Sequence, residues 1–195
     1  MQHPRSNADA PRDRLLRAAA ATWAADPSAP LDAVARAAGV GRATLHRHFA
    51  SRADLMRAVA LDGIAALAHS LEAAELAART PEQALSTLID VLVPFGDRLH
   101  FLLVTGDLIG DADVEAAEAQ VDAPIRWVLD RAAAGGVLRA DVPSAWRFRA
   151  LEALLYAAWT GVADGEIARL DAPGLVCDAY WRGLGTAAGH APTPQ

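Results

Sequence analysis

The chain has one cysteine, Cys177, and no lysine. A lone cysteine excludes an intrachain disulfide and implies neither a cysteine-based zinc site nor an oxidising compartment. Its expected role is that of a small buried hydrophobe. Aromatic residues are also few, at 6% of 195. No stretch reaches the roughly 18 uncharged apolar residues that a membrane span needs, and the opening MQHPRSNADAPRD has no apolar run of the kind found in a secretory signal. The expected location is therefore cytoplasmic, with no membrane partner. The missing lysine makes all 18 basic residues arginine, which reads as genomic base-composition bias without mechanistic content. At 53% hydrophobic and 22% charged, the chain is too apolar to be disordered and long enough to bury a sizeable core.

Positive charge is scarce outside one region. Residues 1–52 hold eight arginines against four acidic residues, net +4, whereas residues 53–195 hold ten against twenty, net −10. An overall charge of −6 thus hides a basic head on an acidic body. Such a body repels DNA and helps keep a duplex on the head.

The basic head contains LDAVARAAGVGRATLHRHFASRADL, Leu31 to Leu55. Leu31, Val34, Ala35 and Ala38 line one face of a short helix. Gly39 supplies the left-handed backbone of a sharp reversal. A second helix starts near Gly41 and Arg42, with Leu45 and Phe49 as buried anchors. Arg42, Thr44, His46, Arg47 and His48 remain to face outward. Ser51 followed by Asp54 is a capping-box spacing that starts a third helix with Arg52 in its first turn. Exposed helix-start amides and Arg52 suit a phosphate.

This segment, AVARAAGVGRATLHRHF followed by SRADL, resembles the DNA-binding head of the TetR family of one-component regulators. The family's second helix usually ends in Thr-Leu-Tyr, a variable residue and His-Phe, so His46 stands where a tyrosine is usual. The resemblance implies an all-α protein of about nine helices. A three-helix helix-turn-helix DNA-binding domain (1–52) would be joined to a helical ligand-binding and dimerisation domain (53–195). It implies a transcriptional regulator, a repressor in the first instance, that binds a palindromic double-stranded operator as a homodimer and is released by a small, mostly apolar effector. Thr44, His46, His48 and Arg52 would position the phosphate backbone, while Arg42 and Arg47 would read bases, since arginine can hold guanine through two hydrogen bonds.

The remaining chain reads as helices. Leu16, Ala19, Ala20 and Trp23 form a stripe on the first, which Asp26, Pro27 and Pro30 end. The helix capped by Ser51 runs on through Met56, Ala60, Gly63, Ile64, Leu67 and Leu71, linking head to body. Thr80, Pro81 and Gln83 start the next, with Leu85, Leu88, Ile89 and Leu92 on one face, and Pro94 and Gly96 stop it. A short helix is expected from Leu99 to Val104. Another opens at Asp111, with Pro124 expected to kink or split it. Ser144 to Ala163 and Pro173 to Ala188 complete the set.

On the last two helices, Ala150, Leu154, Ala157, Ala158, Gly161 and Val162 form a stripe rich in small residues, and Val176, Tyr180 and Leu184 repeat every four. The resemblance implies that these faces make a four-helix dimer interface. A core within one chain would show the same periodicity. It also implies an effector pocket between body helices, for which His69, His100, Phe101, Asp107, Trp127, Glu152, Tyr156 and Trp159 are the candidates. Trp127 and Trp159 lead, because large aromatics in an alanine-rich body offer flat apolar surfaces.

Other chemistries fit less well. His46 and His48 are two apart on a helix, roughly 200° around its axis, so one metal ion cannot take both. Asp111, Asp113, Glu115 and Asp122 lack the glycine and final glutamate of a calcium loop and read more simply as a negative helix start. Gly183, Gly185 and Gly189 miss dinucleotide spacing and follow a helix. No enzyme activity, metal or cofactor is expected. An all-helical enzyme and a protein-interaction module with a degenerate head are the competing classes.

Overall fold

Leu15, Leu16, Ala19, Ala20 and Trp23 recur at helix-face spacing. In the computed structural model of the chain, which describes residues 9–96, 99, 108 and 110–186, they are the buried side of α1 (Asp9–Ala25). An Asp26 carboxylate that accepts from the Ser28 amide and hydroxyl turns the chain out of α1. α2 (Leu31–Ala37) buries Val34 and Ala35. Gly39 ends it at φ +63, with the Val40 amide bonded back to the Ala35 carbonyl at 3.0 Å. α3 (Arg42–His48) follows within three residues, and its Leu45, with Phe49 just beyond, packs under α1 and α2. α4 (Arg52–Ala73) begins at Ser51, whose hydroxyl accepts from the Asp54 amide at 3.1 Å.

Two apolar cores result. The first joins α1, α2 and α3 to Leu55, Met56 and Val59 of α4. The second starts at Ala60 and takes Ile64, Leu67 and Leu71 from the same helix. The changeover lies between Val59 and Ala60, not at the helix start expected at 52/53, because the first two turns of α4 lie on α1.

The second core is closed by α5 (Pro81–Leu92), α6 (Ala112–Ala134), α7 (Ser144–Ala163) and α8 (Ala172–Leu184). α5 starts from a full capping box, with Thr80 and Gln83 bonded both ways. α6 packs against α4, α5 and α7, and α8 packs against α7 and α5. Arg147, only 6% exposed, pins three elements together. Its guanidinium pairs with Asp130 of α6 at 2.8 Å and donates to the Val142 carbonyl, while its own carbonyl accepts from the Tyr180 hydroxyl of α8 at 2.9 Å. Burial pushes that tyrosine hydroxyl far above its ordinary pKa, so it remains a donor.

Two expectations change. Pro124 does not split its helix: α6 runs unbroken for 23 residues, held by Val121, Ile125, Val128 and Leu129 on one buried face. α8 ends at Leu184 rather than Ala188, because Gly185 turns extended and bridges Leu138, with the Arg139 amide on the Leu184 carbonyl at 2.8 Å. Eight α-helices stand among the described residues, which show no strand beyond that bridge. The short helix expected over Leu99–Val104 lies outside the described residues except for Leu99.

Candidate functional site

The head presents α3. At roughly 100° per residue, Leu45 and Phe49 fix the inward side, and the opposite side falls to Arg47 and Ala43, both exposed. His46 and Thr44 flank them to either side. Arg47 thus projects most directly from the protein, with an imidazole and a hydroxyl at groove-wall positions. Ala43 gives no signal in the sequence, since an alanine in a basic run carries no charge. Next to Arg47, its methyl group can meet a thymine methyl.

The other three candidates are less free. Arg42 is exposed, but its guanidinium lies 3.7 Å from the Asp32 carboxylate of α2. His48 is half-buried, with Nε2 enclosed and no partner among the described residues. Only its other edge can reach a phosphate. Arg52, expected on a phosphate, turns inward instead. Its guanidinium donates to the Ala29 and Pro27 carbonyls and stacks over Trp23, 4.6 Å from the ring centroid. Those carbonyls belong to the α1–α2 turn.

The body contains a cavity of about 380 Å³, within the usual range for small-molecule sites. Ile64, Leu67, Leu92, Phe148, Leu151, Leu155 and Trp159 give it apolar walls, and Glu118, Asp122, Glu152 and Arg149 line its polar side. Asp122 pairs with Arg126 at 3.6 Å, and that guanidinium lies over the Phe148 ring. Glu152 pairs with Arg149 at 2.8 Å. Glu118, at the rim and still reached by solvent, has no ion-pair partner among the described residues. Partial burial and then the carboxylates of Asp122, Glu115 and Glu152 push its carboxyl above the ordinary value. Burial also raises Asp122, against the pull of Arg126.

Of the eight effector candidates, Glu152 and Trp159 line this cavity. Trp127 does not: it is 46% exposed on the outer side of α6, beneath the Arg131 guanidinium. Tyr156 likewise faces out, and His69 sits in a separate surface hollow with Phe95. His100, Phe101 and Asp107 lie outside the described residues. Trp159 has a double position. Its indole N–H donates to the Val93 carbonyl at 2.9 Å, and the ring also borders a groove of about 560 Å³ between the end of α1 and the body.

The expected dimer faces divide in the same way. Ala158, Gly161, Val176, Tyr180 and Leu184 are buried within the chain, so their surfaces are spent on its own core. Gly161 illustrates the fit, since a Cβ there would lie 2.5 Å from the side chain of Ile167. Ala150, Leu154 and Val162 are half-buried and Ala157 is exposed. Among the apolar residues that α7 and α8 leave in solvent are Trp146, Ala153, Tyr156, Ala157, Leu175 and Ala179.

Comparison with known proteins agrees with this geometry. Residues 15–59 match the family described as bacterial regulatory proteins, tetR family. The transcriptional repressor LfrR of Mycolicibacterium smegmatis is 30% identical over 154 residues, 79% of this chain and 80% of the relative. The transcriptional regulator NfxB of Pseudomonas aeruginosa is 34% identical over 91 residues, 47% of this chain and 49% of that one. The crystal structure of LfrR from Mycobacterium smegmatis in complex with proflavine superposes with a TM-score of 0.78 at 28% identity, covering 91% of this chain and 98% of that chain.

Proposed function

Because the chain belongs to the TetR family of bacterial regulatory proteins, we propose that it represses transcription from a palindromic operator read by Arg47, and that a flat organic cation in the body cavity releases it. It is a DNA-binding regulator that responds to a small molecule and works as a homodimer, not an enzyme. The observation that carries the operator reading is α3 itself, a short helix clamped by Leu45 and Phe49 with Arg47 aimed outward from the only basic part of the chain. Thr44, His46 and the open edge of His48 are its phosphate contacts, Arg42 a second base reader, and Arg52 a structural group.

For the dimer, the apolar residues left exposed on α7 and α8, Tyr156, Ala157 and Leu175 among them, are the self-complementary patch. The effector class follows from Glu118. A carboxylate without an arginine partner, at the mouth of an aromatic and aliphatic cavity, favours a ligand that brings positive charge on an apolar frame. Proflavine, bound by LfrR, is such a molecule. No helix among the described residues is long and apolar enough to cross a membrane, and the cytoplasm is the proposed location.

Selection of genomic fragments by the purified protein at moderate salt tests the operator reading. A palindromic site bound with steep salt dependence is expected, and salt-insensitive binding without such a site refutes it. Titration of proflavine into the protein tests the effector reading, with saturable binding expected and weakened in Glu118→Gln.

A further inference from the structure

The ion-pair cluster between head and body lies outside both the DNA surface and the cavity. Arg57 stands on the second turn of α4, between Met56 and Val59, which belong to the head's core. Its guanidinium reaches across to the start of α6, where Nε lies 2.8 Å from Asp111 Oδ2 and a terminal nitrogen pairs with Asp113. Asp111 is also the N-cap of α6. Its other oxygen, Oδ1, accepts from the Asp113 and Val114 amides at 3.1 and 3.2 Å. The Val114 amide bond and the Arg57 guanidinium hold this carboxyl below its ordinary pKa, so it stays ionised near neutrality. One carboxylate therefore fastens α4 to the end of α6. Seven residues further, about 10 Å along the helix, α6 presents Glu118 to the cavity, and one turn beyond comes Asp122.

We propose that Arg57 transmits cavity occupancy to the DNA-reading head, its guanidinium latching α4 to the capped end of α6. The proposal rests on the effector reading above. A cation drawn to Glu118 and Asp122 acts on α6, and any shift of that helix along or about its axis is carried by Asp111 and Asp113 to Arg57. Among the described residues, the other charged groups around this hollow are Arg12, Asp54 and Asp62. None of them belongs to α6; α4 itself borders the cavity through Ile64 and Leu67, and Arg57 is the group that ties its head-packed turns to the start of α6. Coupling of two sites is reciprocal and measurable as a ratio of affinities.

The test compares operator affinity with and without proflavine for the full chain and for Arg57→Met, Arg57→Lys, Asp113→Asn and the Met/Asn double variant. In the wild type, proflavine should weaken operator binding by a factor in the range of about 5 to 150. In Arg57→Met that factor should fall to about two or less, while proflavine affinity and melting midpoint hold. Arg57→Lys should recover part of the coupling. An Arg57→Met coupling factor equal to that of the wild type overturns the proposal. If the wild type does not take proflavine, the effector reading fails, and the latch is judged on operator affinity alone. Simple charge effects on DNA would make Arg57→Met and Asp113→Asn act in opposite directions. The latch requires both to shift affinity the same way, with the double variant no further than Arg57→Met. Opposite shifts, or none, overturn it.

Discussion

Replacing Arg52 by alanine separates a structural arginine from a DNA-contacting one. The guanidinium gives two charged hydrogen bonds, to Ala29 and Pro27, and a stack on Trp23. A hydrogen bond from a charged donor contributes about 1.5 kcal/mol at the lower end of its range, appropriate because Arg52 is half-buried, and the stack adds about 0.5 kcal/mol. Nothing buried is orphaned by the change, since the Ala29 carbonyl keeps the Trp23 indole donor at 3.1 Å. The loss should therefore be about 3.5 kcal/mol. At about 2–4 °C per kcal/mol for a chain of this size, the melting midpoint by circular dichroism should fall by roughly 7–14 °C. Arg52→Lys should recover less than half, because one ammonium cannot span both carbonyls and stack. Operator titrations across a salt series supply the second readout, in which each phosphate contact contributes about 0.9 to the log–log slope. The slope should be unchanged in Arg52→Ala. An unaltered midpoint together with a smaller slope would refute the structural assignment and restore Arg52 to the phosphate.

Arg47→Ala should cost about 1–3 kcal/mol of operator affinity and relax preference at one base pair per half-site, as read by binding to operators substituted at each position. A uniform loss across all sequences would reassign Arg47 to the backbone. Glu118→Gln should weaken proflavine binding yet raise the melting midpoint. Folding raises this carboxyl's pKa, so the folded state binds the proton more tightly and stability falls as pH rises through the raised value. Glutamine removes that cost. For the same reason, proflavine affinity of the wild type should decline on acidification before ordinary carboxylates titrate, and the Gln variant should flatten the profile. Leu175→Asp combined with Ala157→Asp should halve the mass seen by light scattering without lowering helix content, and an intact dimer would place the interface elsewhere.

The head was readable because its signals are local. Gly39, the Leu45/Phe49 pair and Ser51 each act within four residues, and the helices they set lie where expected. What could not be read depends on partners distant in sequence. Arg52 looks like a solvent-facing cation until the carbonyls 23 and 25 residues earlier are placed beside it. Val176, Tyr180 and Leu184 announce a buried face, but period alone does not say whether the covering surface belongs to the same chain. Glu118 and Asp122, one turn apart on an acidic helix, have the pattern of a solvated face, and only the packing of α6 against α4 turns them toward a cavity. Trp127 stands out in the sequence by size alone. Its neighbours on α6 bury the other side of the helix.

The shared helix α4 also governs how such a protein can be recombined. A head cut off at Arg52 would lose Leu55, Met56 and Val59, each almost fully buried against α1 to α3. At about 1.5–3 kcal/mol per side chain, those three together are comparable to the whole folding stability of a small domain. The reading head therefore has no independent existence as residues 1–52. A chimera that grafts it onto another sensor must carry the splice past Val59, and the residue at position 57 of the hybrid decides whether the new sensor is heard.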